Sequence, residues 1–185
     1  MAGPVPIVLL SGGLDSAVVA CLCARHHHDA RAIHFDYGQP AAAAELAAAR
    51  RLAAHLAIPF ERVALPPIAR LPSGEFRGRN AILVLHAAAR VAPAPAVIAA
   101  GIHAGAPYYD ATPRFAREIQ AVLDGYSGGA VVFDAPLLGL SKREVAALAR
   151  DLDVPLGLTY SCESTSAGPC GACASCLDRK ALDVA

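Results

Sequence analysis

A surplus of charge of either sign is missing from this chain. Its 185 residues carry 16 basic and 16 acidic side chains, a formal net charge of zero. There is no electrostatic footprint for a long polyanion, and direct nucleic-acid binding is not expected. Long uninterrupted apolar runs are missing too. The apolar stretch 81–101 is broken by His86, Arg90, Pro93 and Pro95, and no basic segment precedes the first apolar run. Neither a membrane span nor a signal peptide is expected, and a cytoplasmic location is. Two common nucleotide fingerprints, Gly-x-x-x-x-Gly-Lys-Ser/Thr and Gly-x-Gly-x-x-Gly, are absent as well.

What is present is a different glycine turn. The apolar run 5–10 leads into Ser11-Gly12-Gly13-Leu14-Asp15-Ser16, and the helix-compatible residues 17–22 follow. This reads as a strand entering a helix, with the glycine pair permitting a tight turn and close backbone approach. The free N–H groups and positive dipole end of such a helix favour phosphate. A Gly-Gly turn merely capped by Asp15 is the local alternative.

Beyond the turn, apolar runs alternate with helical patterns. A second strand is expected near 30–36 and runs into Phe35-Asp36-Tyr37-Gly38-Gln39, an acid, an aromatic and an amide beside a glycine at a strand's C-terminal end. The alanine-rich stretch 40–56 is helical by propensity, and strands are expected at 58–65, 96–102 and 130–134. A helix over 81–91 begins after Gly78-Arg79-Asn80, where Arg79 could reach phosphate or carboxylate and Asn80 could cap or bind a ligand. A helix over 113–123 follows the loop 103–110, in which Tyr108 and Tyr109 could sandwich a purine-like base and Asp110 could accept from its amine. Ser141 and Glu144 form a capping box, which leaves Lys142 and Arg143 available to polyphosphate. Five strands alternating with helices predict an α/β fold, a doubly wound parallel sheet. Ligands of such sheets bind at the strands' C-terminal ends.

The tail carries Cys162, Cys170, Cys173 and Cys176, two Cys-x-x-Cys steps sharing Cys173, with Gly168, Pro169 and Gly171 between. Four soft thiolates around one ion favour structural zinc, and an iron–sulfur cluster is the alternative. Cys21 and Cys23 read as small buried residues of the first helix, and the histidines 26–28 as its solvated end.

The hexapeptide is similar to the pyrophosphate loop of ATP pyrophosphatases. With Phe35-Asp36-Tyr37-Gly38-Gln39, Gly78-Arg79-Asn80 and Thr159-Tyr160-Ser161-Cys162 in the same order, nearly the whole chain resembles the QueC, or 7-cyano-7-deazaguanine synthase, family. The resemblance implies an adenine nucleotide alpha hydrolase-like (Rossmann-like) domain over 1–158, a zinc-binding segment over 159–185, and a homodimer. It implies an enzyme using ATP and Mg2+ to adenylate 7-carboxy-7-deazaguanine, ammonia then giving the amide and a second ATP the nitrile, on the way to queuosine. It places Ser11, Gly12, Gly13, Leu14, Asp15 and Ser16 on pyrophosphate and metal, with Phe35, Tyr37, Gly38, Gln39, Arg79 and Asn80 also on ligand. Lys142 and Arg79 add charge, and Tyr108 to Asp110 face the deazapurine. The segment 66–78 is shorter than in the family, and Tyr108-Tyr109-Asp110-Ala111-Thr112 stands where the family tends to read Tyr-Pro-Asp-Cys-Arg. In this the chain resembles QueC-like antiphage paralogues that join a deazaguanine to a partner protein's N-terminus, so the acceptor is ammonia or a protein amine. A tRNA-modifying adenylase or thiolase, and a non-catalytic nucleotide- and zinc-binding module, are the readings from other classes.

Overall fold

A computed structural model describes residues 3–66, 76–91, 93–104, 108–164 and 168–182. Residues 67–75 of the short segment 66–78, and Gly105, Ala106 and Pro107 of the tyrosine-bearing loop, lie outside the described residues. The order is β1 (Val5–Leu9), α1 (Leu14–His26), β2 (Arg31–Asp36), α2 (Ala42–His55), β3 (Phe60–Ala64), α3 (Arg79–Val91), β4 (Ala96–Ala100), α4 (Pro113–Ser127), β5 (Val131–Asp134), α5 (Lys142–Asp151) and α6 (Ala174–Ala181). Short 3₁₀ turns occupy Tyr109–Ala111 and Leu156–Leu158. No described helix is long and apolar enough to cross a membrane.

The strands pair in the order β3-β2-β1-β4-β5, every pair parallel. Period-two alternation divides the core between the two faces. Val8, Leu10 and Ala99 meet Val18, Ala49, Leu52, Val145 and Ala149 of α1, α2 and α5. Ile7, Ile33, Ile98 and Val131 meet Val84, Ala87, Phe115, Ile119 and Leu123 of α3 and α4. The doubly wound five-stranded expectation therefore holds. Because the winding reverses between β1 and β4, a crevice opens where their carboxyl ends part, directly above the β1–α1 turn.

Two helices depart from their expected bounds. The helix expected at 81 begins at Arg79, because the carboxylate of Asp110 accepts the Asn80 N–H at 3.2 Å and so caps α3 from thirty residues away. The helix expected to end at 123 runs through Gly125 to Ser127 and stops at Gly128, whose φ of 60° gives a left-handed cap donating to the Asp124 carbonyl.

Candidate active site

The β1–α1 turn is braced from within. Ser11 Oγ donates to Ser16 Oγ at 3.0 Å, Ser16 Oγ donates to the Gly13 carbonyl at 3.0 Å, and the Gly12 N–H donates to Ser16 Oγ at 3.3 Å. Helix α1 starts on Gly13 with no side chain capping it. The free N–H groups of its first turn therefore have no side-chain cap, and such a helix start favours an anion.

Two glycines make the close packing possible. A Cβ on Gly12, whose φ is +96°, would stand 2.5 Å from the Glu45 carbonyl, and one on Gly101 would stand 2.7 Å from the Asp15 carbonyl carbon. Strand β4 and helix α2 thus press on the turn from two sides.

Over the turn lies a cavity of about 280 Å³. Ser11, Gly13, Asp15 and Ser16 line it from the turn, and Phe35, Tyr37 and Gln39 line it from the end of β2. Arg79 and Asn80 enter from the start of α3. Gly12 lies beneath, against α2, while Leu14 is 2% exposed and belongs to the core. At Gly38 a φ of +74° closes the β2 turn, with its N–H on Asp36 Oδ1 at 3.0 Å. The Gln39 side chain holds that turn, accepting from the Tyr37 N–H at 3.0 Å and donating to the Phe35 carbonyl at 3.2 Å.

Lys142, the first residue of α5, reaches 127 positions back in sequence. Its Nζ donates to both carboxylate oxygens of Asp15 at 2.7 Å, with about a quarter of each side chain exposed. The Ser141–Glu144 capping box is present as expected: Ser141 Oγ accepts the Glu144 N–H, and Glu144 accepts the Ser141 N–H at 2.7 Å. This fixes the helix end from which Lys142 projects.

Residues 108–110 sit elsewhere. Asp110 caps α3 while its carbonyl accepts from Asn80 Nδ2 at 3.2 Å. Tyr109 donates to Glu118 and packs edge-on against Phe115, and Tyr108 is exposed. None of the three lines the cavity.

Three titratable residues that sequence reasoning passed over do belong here. Glu45, in the first turn of α2, lines the cavity and accepts from Gln39 Nε2 at 2.8 Å. Burial raises its pKa against the opposing pulls of Gln39 and Arg79. A lone acid in a run of alanines was the available signal. His103 Nε2 stands 4.0 Å from Asp15, and burial lowers its pKa although Asp15 opposes this. His34 joins its Nδ1 to the Leu10 carbonyl at 2.9 Å, and its buried Nε2 has no partner among the described residues. Burial lowers the pKa of that imidazole, although its bond to Leu10 opposes this.

In the tail, all four cysteine sulfurs lie within 4.8 Å of one another, and Cys170 and Cys176 are 4.0 Å apart. A tetrahedral ion with metal–sulfur bonds of about 2.3 Å sets sulfurs about 3.8 Å apart, so this donor set fits one metal ion. The N–H groups of Cys170 and Ser164 each approach Cys162 Sγ at 3.3 Å. Burial pushes the Cys162 thiol up, yet these donors prevail and bring it down to about 6, which readies it as a thiolate ligand. Cys21 and Cys23 stand in the first helix outside this cluster, and burial raises both thiols, Cys23 to about 11. A second concavity, of about 220 Å³ near Cys21, Arg25 and His55, holds none of the expected site residues.

A family model described as queuosine biosynthesis protein QueC matches residues 5–75 and 69–182. The chain is 33% identical to 7-cyano-7-deazaguanine synthase of Aquifex aeolicus, over 94% of both proteins. It is 34% identical to that of Sulfurihydrogenibium sp., over 94% of this chain and 91% of the relative. Among solved structures, U34-tRNA thiolase NcsA from Methanococcus maripaludis with its 4Fe-4S cluster superposes with a TM-score of 0.53 at 15% identity. That match covers 98% of this chain and 64% of the thiolase, and it shows a shared fold.

Proposed function

The chain belongs to the QueC family, and from that premise we propose that it is an ATP-dependent ligase acting on the carboxylate of 7-carboxy-7-deazaguanine. The observation that carries this reading is the uncapped start of α1 opening on a cavity, with Asp15 and Lys142 paired at its edge. A carboxylate is a poor electrophile until its oxygen can leave. Adenylation makes AMP that leaving group, provided the phosphates are held and their charge is offset.

Residues 11–16 cradle the phosphates with backbone N–H groups and the two serine hydroxyls. Lys142 exchanges Asp15 for phosphate oxygen, and Arg79 adds charge from α3. Asp15 would hold Mg2+, which would offset phosphate charge. A substrate carboxylate oxygen attacks the α-phosphorus and pyrophosphate departs with the electron pair of the broken bond. The nitrogen of ammonia attacks the acyl carbon, AMP leaves, and a proton passes to solvent. A second ATP activates the amide oxygen in the same way, and loss of AMP and two protons forms the nitrile. Cys162, Cys170, Cys173 and Cys176 would hold zinc, which would supply a structural staple. Glu45 and Gln39 set the cavity wall at the end of β2.

Conversion of ATP to AMP and pyrophosphate tests the reading, with product mass determined in the presence and absence of ammonium. Nitrile formed only with both substrates supports the synthase. AMP formation that completes only with a protein amine assigns the acceptor to a partner protein. Absence of AMP in every arm removes the enzymatic reading. Asp15→Asn should abolish AMP formation while leaving the metal content at the four cysteines unchanged, and retained turnover would take Asp15 out of the site.

A further inference from the structure

Residues 159–162 belong to two structures at once. The Tyr160 N–H donates to the Gly12 carbonyl at 2.8 Å. The Tyr160 carbonyl and Ser161 Oγ lie 3.6 and 3.8 Å from where a Cβ on Gly13 would stand. One residue later, the buried Cys162 contributes a sulfur to the four-thiol cluster. The phosphate-binding turn and the metal cluster are therefore joined by a strap whose length leaves no slack.

The strap is held from the far side by one guanidinium. Helix α6 begins just after Cys173 and carries both Cys176 and Arg179. Arg179 Nη1 donates to Thr159 Oγ1 at 2.6 Å and to Ser161 Oγ at 3.4 Å, and its Nη2 donates to the Leu156 carbonyl at 3.4 Å. An eight-residue helix does not persist in water by itself. Closure of Cys162, Cys170, Cys173 and Cys176 on one ion would fix α6, and with it the guanidinium fork, beside the packing of Leu182 on the core and the Ser175–Glu163 hydrogen bond.

We propose that Arg179 is a positioning residue for the phosphate-binding turn, through which metal at the four cysteines and pyrophosphate at the β1–α1 turn each raise the other's affinity. The proposal rests on the anion-binding reading of that turn given above. Metal orders α6, Arg179 holds Thr159 and Ser161, and the Tyr160–Gly12 hydrogen bond then keeps Gly12 and Gly13 in the conformation that aims the N–H groups. Linkage makes the effect reciprocal: whatever factor the metal adds to anion affinity, the anion adds to metal affinity.

The test uses the full chain loaded with one zinc ion, compared with its metal-free form and with Arg179→Gln, Arg179→Lys and Ser161→Ala. Calorimetry reads the affinity for magnesium pyrophosphate. Competition with a chromogenic chelator reads metal affinity without pyrophosphate and at one fixed pyrophosphate concentration, and comparing the change between proteins cancels pyrophosphate's own hold on the metal. Wild type should bind pyrophosphate about 5-fold or more tightly when metal-loaded, within the usual range of coupling between sites. Arg179→Gln should keep one metal per chain, bind pyrophosphate about 10-fold more weakly, and lose the dependence on metal. Arg179→Lys should recover part of it.

Arg179→Gln with full metal occupancy and wild-type pyrophosphate affinity overturns the proposal, and so does a pyrophosphate-dependent change in metal affinity that is the same in wild type and in Arg179→Gln. Should the metal-free chain not fold, Ser161→Ala, expected to weaken pyrophosphate binding at full metal content, decides in its place, and an unchanged affinity there counts against the proposal. Wild type that binds no pyrophosphate overturns this inference together with the functional reading. Coupling without AMP formation from 7-carboxy-7-deazaguanine overturns the functional reading alone.

Discussion

At Gly101 the requirement is for space rather than for unusual dihedral freedom. An added Cβ would meet the carbonyl carbon of Asp15 at 2.7 Å and the Ser16 nitrogen at 2.8 Å, backbone atoms that have nowhere to go. Gly101→Ala should cost about 1–3 kcal/mol by overpacking. It should also weaken nucleotide binding, because the chain after β4 and the start of α1 separate at the proposed phosphate site. Chemical denaturation and calorimetry check both effects, and unchanged values would show that the two backbones can part freely. Glu45 offers a second residue-scale check. Burial raises its native pKa, so the ionised form is the disfavoured one in the folded chain. The stability this group contributes is full below the ordinary carboxylate value of about 4.3 and declines as pH rises from there through the raised native value. Glu45→Gln removes that titration. Its stability relative to wild type should rise across the same window and level off above it, whereas parallel pH curves from denaturant melts would show no linkage. Gly12, Gly13 and Asp15 were legible in the sequence because glycines and an acid at a strand-to-helix turn have a local meaning. Gly101 was not, since its partner lies 86 positions back in the chain and only the packing of β4 on α1 reveals it.

Among the elements, α5 shows how a local signal serves a distant site. Ser141 and Glu144 satisfy the free N–H groups at the helix start, and the same start projects Lys142 onto Asp15. Ser141→Ala should cost about 1 kcal/mol as a lost cap. It should also loosen Lys142, giving a higher KM for ATP at nearly unchanged kcat in the AMP-forming assay. A purely thermal effect with unaltered KM would confine the cap to stability. The capping box could be read from four residues, but the ion pair it supports could not, because the Lys142–Asp15 contact is a product of α5 lying beside α1. The converse holds at α3 and at the tyrosine loop. Asp110 reads in sequence as a ligand acceptor, yet its carboxylate caps α3 and its carbonyl is met by Asn80. Composition alone gives no sign of that pairing across thirty residues. The tail was the most legible element of all, since two Cys-x-x-Cys steps define a metal knuckle by spacing, and the four sulfurs converge as the spacing requires.

For the molecule as a whole, the decisive feature is where sequence-distant segments meet. Alternating strands and helices predict a doubly wound sheet, but the strand order 3-2-1-4-5 sets the crevice between β1 and β4 and brings three stretches together there. They are the turn 11–16, the stretch 101–103 just after β4, which faces Asp15 through Gly101 and His103, and the strap 159–162, which bonds to Gly12. Hydrogen exchange can examine them jointly. Without ligand, β1, β4 and the buried half of α1 should exchange most slowly, because Val8, Val18 and Ile98 are wholly buried and these segments open only with the whole fold. Magnesium ATP should then slow exchange at 11–16, 101–103 and 159–162 together, since ordering one segment orders its two neighbours. The outer helix α4, which packs on the opposite side of the sheet from α1, should be unaffected apart from any global shift. Protection confined to 11–16 would mean that this turn acts alone, and the meeting of 101–103 and the strap 159–162 around it would then be packing without a part in nucleotide binding.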